Sequence, residues 1–194
     1  MEPMPFPDVD AIVIGASAGG VEALQRLLGS LPAGLAPAVL VVLHLPRETS
    51  GSLPQVLGRR CALPVLEALD KQPLAGGSVV LAPAGYHLLV ERERTLALSV
   101  DPPVLHSRPA IDPLFESAAL VYGARLLALL LTGASRDGSE GLAAVRRHGG
   151  TAWVQDPATA VASTMPASAL AHAGADAVLS LDEISLRLSR AKVR

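Results

Sequence analysis

At 194 residues the chain is long enough for one substantial core, and a single domain is expected over residues 1–194, with residues 1–9 as an N-terminal extension. Half of the residues are apolar, 18% are charged and only 3% are aromatic, which excludes disorder and calls for a core of Leu, Val, Ile and Ala. A net charge of −2, one cysteine and apolar runs far short of a membrane span argue against nucleic acid, an internal disulfide and membrane insertion.

The opening MEPMPFPDV lacks the positive start and apolar stretch of a signal peptide, so a cytoplasmic protein is expected. An apolar strand is predicted over Asp10–Ile14, then a helix over Val21–Leu28 with Leu24, Leu27 and Leu28 on one face. A second strand follows over Ala38–Leu43, and Cys61, in GRRCALP, reads as an apolar filler. After the strand Ser78–Leu81, the stretch YHLLVERERTLALSV (Tyr86–Val100) predicts an antiparallel hairpin turning at ERER. The segment Asp101–Pro109 is a loop, and a helix is expected over Pro113–Tyr122, with Asp112 as its cap. Strands at Leu126–Leu131, Thr151–Val154 and Ala177–Leu179 alternate with a helix over Glu140–Val145 and another around His172. The last helix follows Ser180, opening on Asp182 and Glu183 and running to Arg187, Arg190, Lys192 and Arg194, an order that complements the helix dipole. Such alternation predicts an α/β fold: a doubly wound, mainly parallel sheet with helices on both faces and a small antiparallel hairpin.

The first strand runs into IVIGASAGG, Ile12 to Gly20, before a helix. A dinucleotide site would need G-x-G-x-x-G and an acid at the end of the next strand. The glycines here are Gly15, Gly19 and Gly20, and the next strand ends in His44. Gly15-Ala16-Ser17-Ala18-Gly19 instead fits the G-x-S-x-G of a nucleophile elbow, in which the amide after the serine can donate to an oxyanion. Alone the match says little, since about one chain in fifteen of this length has it by chance, and Ser17 could equally cap the helix. Position adds more. Ser17, His44 and Asp137 of LTGASRDG all fall at carboxyl ends of predicted strands, where doubly wound sheets place their sites. Asp156 is the rival acid, and no histidine–carboxylate spacing suggests a metal.

With these motifs, and with LAPAGYHLLV, HSRPAIDPLFESAA and VQDPATAVASTMP in the same order, the chain resembles the catalytic domain of the chemotaxis protein-glutamate methylesterases, the CheB family. The resemblance implies hydrolysis of γ-glutamyl methyl esters on chemoreceptor signalling helices, with glutamine deamidation as a second activity and no cofactor. It assigns Ser17, His44 and Asp137 as the triad, with Ala18 and Ala134 as backbone oxyanion donors. Arg108, in the HSRPAID loop, is a candidate for steering acidic receptor surface, or simply fixes its own loop. Three departures stand out. Ala18 replaces the family's usual threonine; Ala134 and Ser135 replace Met-Gly, which would strain the loop at Ser135 if it needed positive φ; and, with nine residues ahead of the first strand, no attached receiver domain is expected. A separate response regulator or signalling protein is then the expected source of control. Two further hypotheses are a catalytically silent domain that docks on signalling proteins and, least favoured, a nucleotide-binding module.

Overall fold

A computed structural model describes residues 6–44 and 52–193. Leu45 and Pro46 of the VLHLP motif, most of the N-terminal extension and Arg194 lie outside the described residues.

Seven strands form one parallel sheet: β1 (Ala11–Ala16), β2 (Ala38–Leu43), β3 (Val65–Glu67), β4 (Val79–Leu81), β7 (Leu126–Leu130), β8 (Thr151–Gln155) and β9 (Ala177–Leu179). Their order is β3-β4-β2-β1-β7-β8-β9. The predicted hairpin forms apart from this sheet as antiparallel β5 (His87–Val90) and β6 (Leu96–Ser99). Six helices accompany them: α1 (Gly20–Leu28), α2 (Leu53–Gly58), α3 (Ile111–Tyr122), α4 (Ser139–Arg147), α5 (Thr164–His172) and α6 (Leu181–Leu188).

The central strands read as unbroken apolar runs because both of their faces are covered. Ile12 and Ile14 face a cluster with Leu24, Leu27, Leu57, Ile184 and Leu188, placing α1, α2 and α6 on one side. Ala11 and Val13 face Leu114, Phe115, Leu142, Val145 and Ala169, placing α3, α4 and α5 on the other, with the hairpin. Alternate residues of one strand therefore feed two separate cores. The chain runs from β1 to β2, on to β3 at the edge and back to β4 between them, then crosses to place β7 on the opposite side of β1. Doubly wound sheets place their sites at such a reversal, here beyond the carboxyl ends of β1 and β7.

Two elements were not anticipated. β3 is three partly exposed residues at a sheet edge, and α2 has a proline within its first turn. Neither carries enough periodic apolar sequence to stand out. The final helix stops at Leu188, so only Arg187 of the expected basic run lies in its last turn, and Arg190 and Lys192 follow it. Its start is fixed by a capping box, in which the Ser180 hydroxyl accepts the Glu183 N–H and the Glu183 carboxylate accepts the Ser180 N–H. Among the described residues, no helix is long and apolar enough to cross a membrane.

Candidate active site

Ser17 lies one residue beyond β1, at the reversal. Its amide donates to the Thr132 carbonyl (2.9 Å), and its carbonyl accepts the Gly20 N–H (2.8 Å). The helix that follows is capped by Gly19 with no side-chain bond, so Ser17 is not the cap of α1. Gly15 is required for close approach: a Cβ there would lie 2.6 Å from Cγ2 of Ile111, the first residue of α3. Ser17 is partly exposed, and no described residue hydrogen-bonds its hydroxyl.

His44 lies one residue beyond β2. Its backbone N–H donates to the Ala16 carbonyl at 3.0 Å, which extends the β1–β2 ladder and sets His44 alongside Ser17. Its imidazole Nε2 meets Oδ2 of Asp137 at 2.7 Å. Asp137 is wholly buried and also accepts the N–H groups of Ile111 (2.6 Å, on Oδ2) and Asp112 (3.0 Å, on Oδ1). Burial alone would push the Asp137 carboxyl up, but the hydrogen bonds from His44, Ile111 and Asp112 outweigh it and hold the group below the usual carboxylate range.

The structure corrects the reading of Asp112. It does not cap α3, whose N-cap residue is Ala110. Its carboxylate accepts the N–H of Gly141, the third residue of α4, at 2.7 Å. Asp137, just ahead of α4, takes the first two N–H groups of α3 instead. Each helix thus receives its cap from the other's neighbourhood, and orphan donors at both N-termini are satisfied across the interface. The contact is tight, since a Cβ on Gly141 would lie 2.6 Å from Cβ of Phe115 and 3.1 Å from backbone atoms of Asp112. Burial, then the neighbouring Asp137 charge, pushes the Asp112 carboxyl up to about 7 despite the Gly141 hydrogen bond.

The Ser135 substitution does not strain the loop. The positive φ falls on Gly138 (+95°), and Ser135 Oγ accepts the Asp137 N–H at 3.1 Å. The other candidates have partners of their own. Asp156 caps a short 3-10 turn through the Ala158 N–H (2.9 Å). Arg108 Nη1 donates to the carbonyls of Val100 (2.7 Å) and Asp101 (3.0 Å), bracing its loop. His148 ends α4, and His172 ends α5 with Nε2 3.0 Å from Glu140. Cys61 packs against the core, and burial raises its thiol.

Two supports were not legible. Thr132 is buried, and its hydroxyl donates to the Ala18 carbonyl (2.8 Å) while accepting the Ala162 N–H (2.9 Å). Its own N–H is taken by the side chain of buried Gln155 (2.9 Å). His87, buried on β5, accepts the Ala110 N–H through Nδ1 (3.2 Å), so Nε2 carries the proton and donates to the Pro102 carbonyl (3.1 Å). It thereby fixes the residue just ahead of the α3 amides that hold Asp137.

The sequence pattern of the family described as CheB methylesterase matches residues 12–188. The chain belongs to the CheB methylesterase family. Its fold superposes on the crystal structure of the Thermotoga maritima CheB methylesterase catalytic domain with a TM-score of 0.88 at 32% identity, covering 93% of this chain and 97% of that one. A Leptospira interrogans relative is 41% identical over 176 residues, 91% of each chain. The Symbiobacterium thermophilum protein-glutamate methylesterase/protein-glutamine glutaminase is 40% identical over 180 residues, and this CheB-family chain spans 50% of its length.

Proposed function

We propose that the chain hydrolyses γ-methyl esters of glutamyl side chains on chemoreceptor helices, releasing methanol, with Ser17, His44 and Asp137 as a catalytic triad. The observation that carries this reading is the 2.7 Å contact between His44 Nε2 and buried Asp137, on a histidine whose backbone is laddered beside the residue preceding Ser17.

Because Nε2 is engaged by Asp137, Nδ1 is the nitrogen left for the serine. Ser17 Oγ attacks the ester carbonyl as Nδ1 of His44 takes its proton, and Asp137 stabilises the imidazolium that forms. The Ser17 carbonyl is tied to Gly20, so the planar peptide turns the Ala18 N–H the opposite way, where it serves the oxyanion together with the Ala134 amide. His44 returns the proton to the leaving methoxide, and the glutamyl-enzyme remains. Water, activated by the same imidazole, then releases glutamate and regenerates Ser17. A glutamine substrate would pass through the same acyl-enzyme with ammonia as leaving group, which accounts for the paired activity in the relatives' name. The Ser135 hydroxyl on the Asp137 amide supports a working loop over a silent docking domain.

The test is methanol release from a methylated receptor signalling fragment. Release by the wild type and its loss in Ser17→Ala is the expected result. No release from the wild type, beside an active methylesterase on the same fragment, would leave a protein-interaction domain.

A further inference from the structure

Among the described residues, Asp112 and Asp137 are the two buried carboxyl groups, and the proposed chemistry uses only one of them. Their surroundings are unequal. The Asp137 carboxylate receives His44 Nε2 and two backbone N–H groups. The Asp112 carboxyl receives one, from Gly141 on Oδ1, and neighbours the Asp137 carboxyl, whose Oδ1 accepts the backbone N–H of Asp112 itself at 3.0 Å. Two neighbouring carboxyls out of water do not both stay ionised; the one with more hydrogen-bond donors keeps the charge and the other keeps a proton. Here the proton falls on Asp112. A neutral Asp112 fits its partners on both sides, accepting from Gly141 with one oxygen and donating to Asp137 with the other.

Asp112 also has an outlet that the triad does not share. It lines a groove of about 570 Å³ with Val104, Leu105, Arg136, Ser139 and His172, and that lining contains neither Ser17 nor His44. The charged groups around Asp112 are Asp137 and Glu116, with Arg136, Glu140 and His172 along the groove. The Ser139 hydroxyl, buried at the same edge, has no hydrogen-bond partner among the described residues.

We propose that Asp112 is a positioning residue for the esterase site: it holds the proton of a shared Asp112–Asp137 carboxyl pair and exchanges it through this groove, so that its ionisation adds a second negative charge behind His44. The proton assignment does not depend on the triad reading, whereas the effect on catalysis does. A second negative charge behind the imidazole favours the imidazolium of the transition state, so turnover rises as Asp112 ionises.

Infrared titration of protein labelled with 13C at the aspartate side-chain carboxyl tests the proton directly. The expected result is an aspartic-acid carbonyl band in the wild type near pH 6, bleached by about pH 8.5 and missing from Asp112→Asn. Asn keeps an acceptor for Gly141 and a donor for Asp137. A wild type without that band, or a band that persists in D112N, overturns the proposal, and the wild-type titration decides even if the variant does not fold. In parallel, the ratio of wild-type to D112N kcat on a methylated receptor fragment should rise about fivefold between roughly pH 5.5 and 8.5. A merely structural role would lower kcat by the same factor throughout, and a constant ratio overturns the tuning role. An intact band with no ester hydrolysis by the wild type would sink the esterase reading and leave the proton assignment standing.

Discussion

Thr132 grips the turn around Ser17 at two points: its carbonyl accepts the Ser17 N–H, and its hydroxyl donates to the carbonyl of Ala18. The same hydroxyl accepts the Ala162 N–H, so one buried oxygen joins the nucleophile turn to the loop ahead of α5. Thr132→Val keeps the shape and removes both bonds. It should cost about 1 kcal/mol, because the Ala18 carbonyl and the half-buried Ala162 N–H each lose a partner that water can only partly replace. Because these bonds orient the peptide ahead of Gly19, kcat on a methylated receptor fragment should fall at least about tenfold with little change in KM. Thr132→Ser should restore most of both. A Thr132→Val enzyme with wild-type kcat would remove the residue from the positioning scheme.

The approach of α3 to α4 depends on Gly141, where any Cβ meets both Phe115 and the Asp112 backbone. Gly141→Ala should destabilise by roughly 1–3 kcal/mol through overpacking. It should also lower activity, since the helices it forces apart carry the amides on both carboxyls. Gly58→Ala is the contrast, because a Cβ there meets Val65 only at 3.7 Å; it should be neutral or slightly stabilising. Urea unfolding of the pair, with ester hydrolysis alongside, reads both effects.

His87 holds the Ala110 N–H and the Pro102 carbonyl from a buried site on the hairpin. His87→Ala should leave that N–H without a partner, at a cost of about 1–3 kcal/mol. It should reduce kcat as well, because Ala110 precedes the two amides that fix Asp137. An unchanged kcat in a destabilised protein would confine His87 to a packing role.

Asp137 and Asp112 drive the pH dependence of stability in opposite directions. The folded-state value of Asp137 lies below its unfolded value, so its contribution is complete above about pH 4 and is lost as pH falls through the folded value. Asp112 is raised to about 7, so the folded protein retains a proton that the unfolded chain releases. Stability should therefore decline as pH rises from about 4 to about 7 and level off beyond. Urea titrations across this range should show that decline in the wild type and not in Asp112→Asn. Asp137→Asn should be destabilised most at neutral pH, and its deficit should shrink toward acid.

The strands were legible because a sheet covered on both faces writes itself as continuous Val, Ile and Leu, as at Ala38–Leu43. Ser17, His44 and Asp137 could be singled out because polar residues at the ends of such runs break an otherwise apolar pattern. The supports were hidden for a common reason: their partners are distant in sequence. A carboxylate at the start of a helix signals a cap for its own helix, yet the N–H that Asp112 takes is 29 residues away. His87 sits in an ordinary hairpin, and only the fold reveals that it is buried. Ser135 looked costly by comparison with glycine, and only the loop's dihedral angles put the demanding position at Gly138.

The residues proposed to act follow β2, β1 and β7, three neighbouring strands at the middle of the sheet. Central strands open to solvent only with the whole molecule, whereas the edge strands β3 and β9 can fray by themselves. The three proposed groups should therefore stay in register until the core itself opens. Hydrolysis followed along a denaturant series would then behave as a census of intact molecules, overlaying the curve read by circular dichroism.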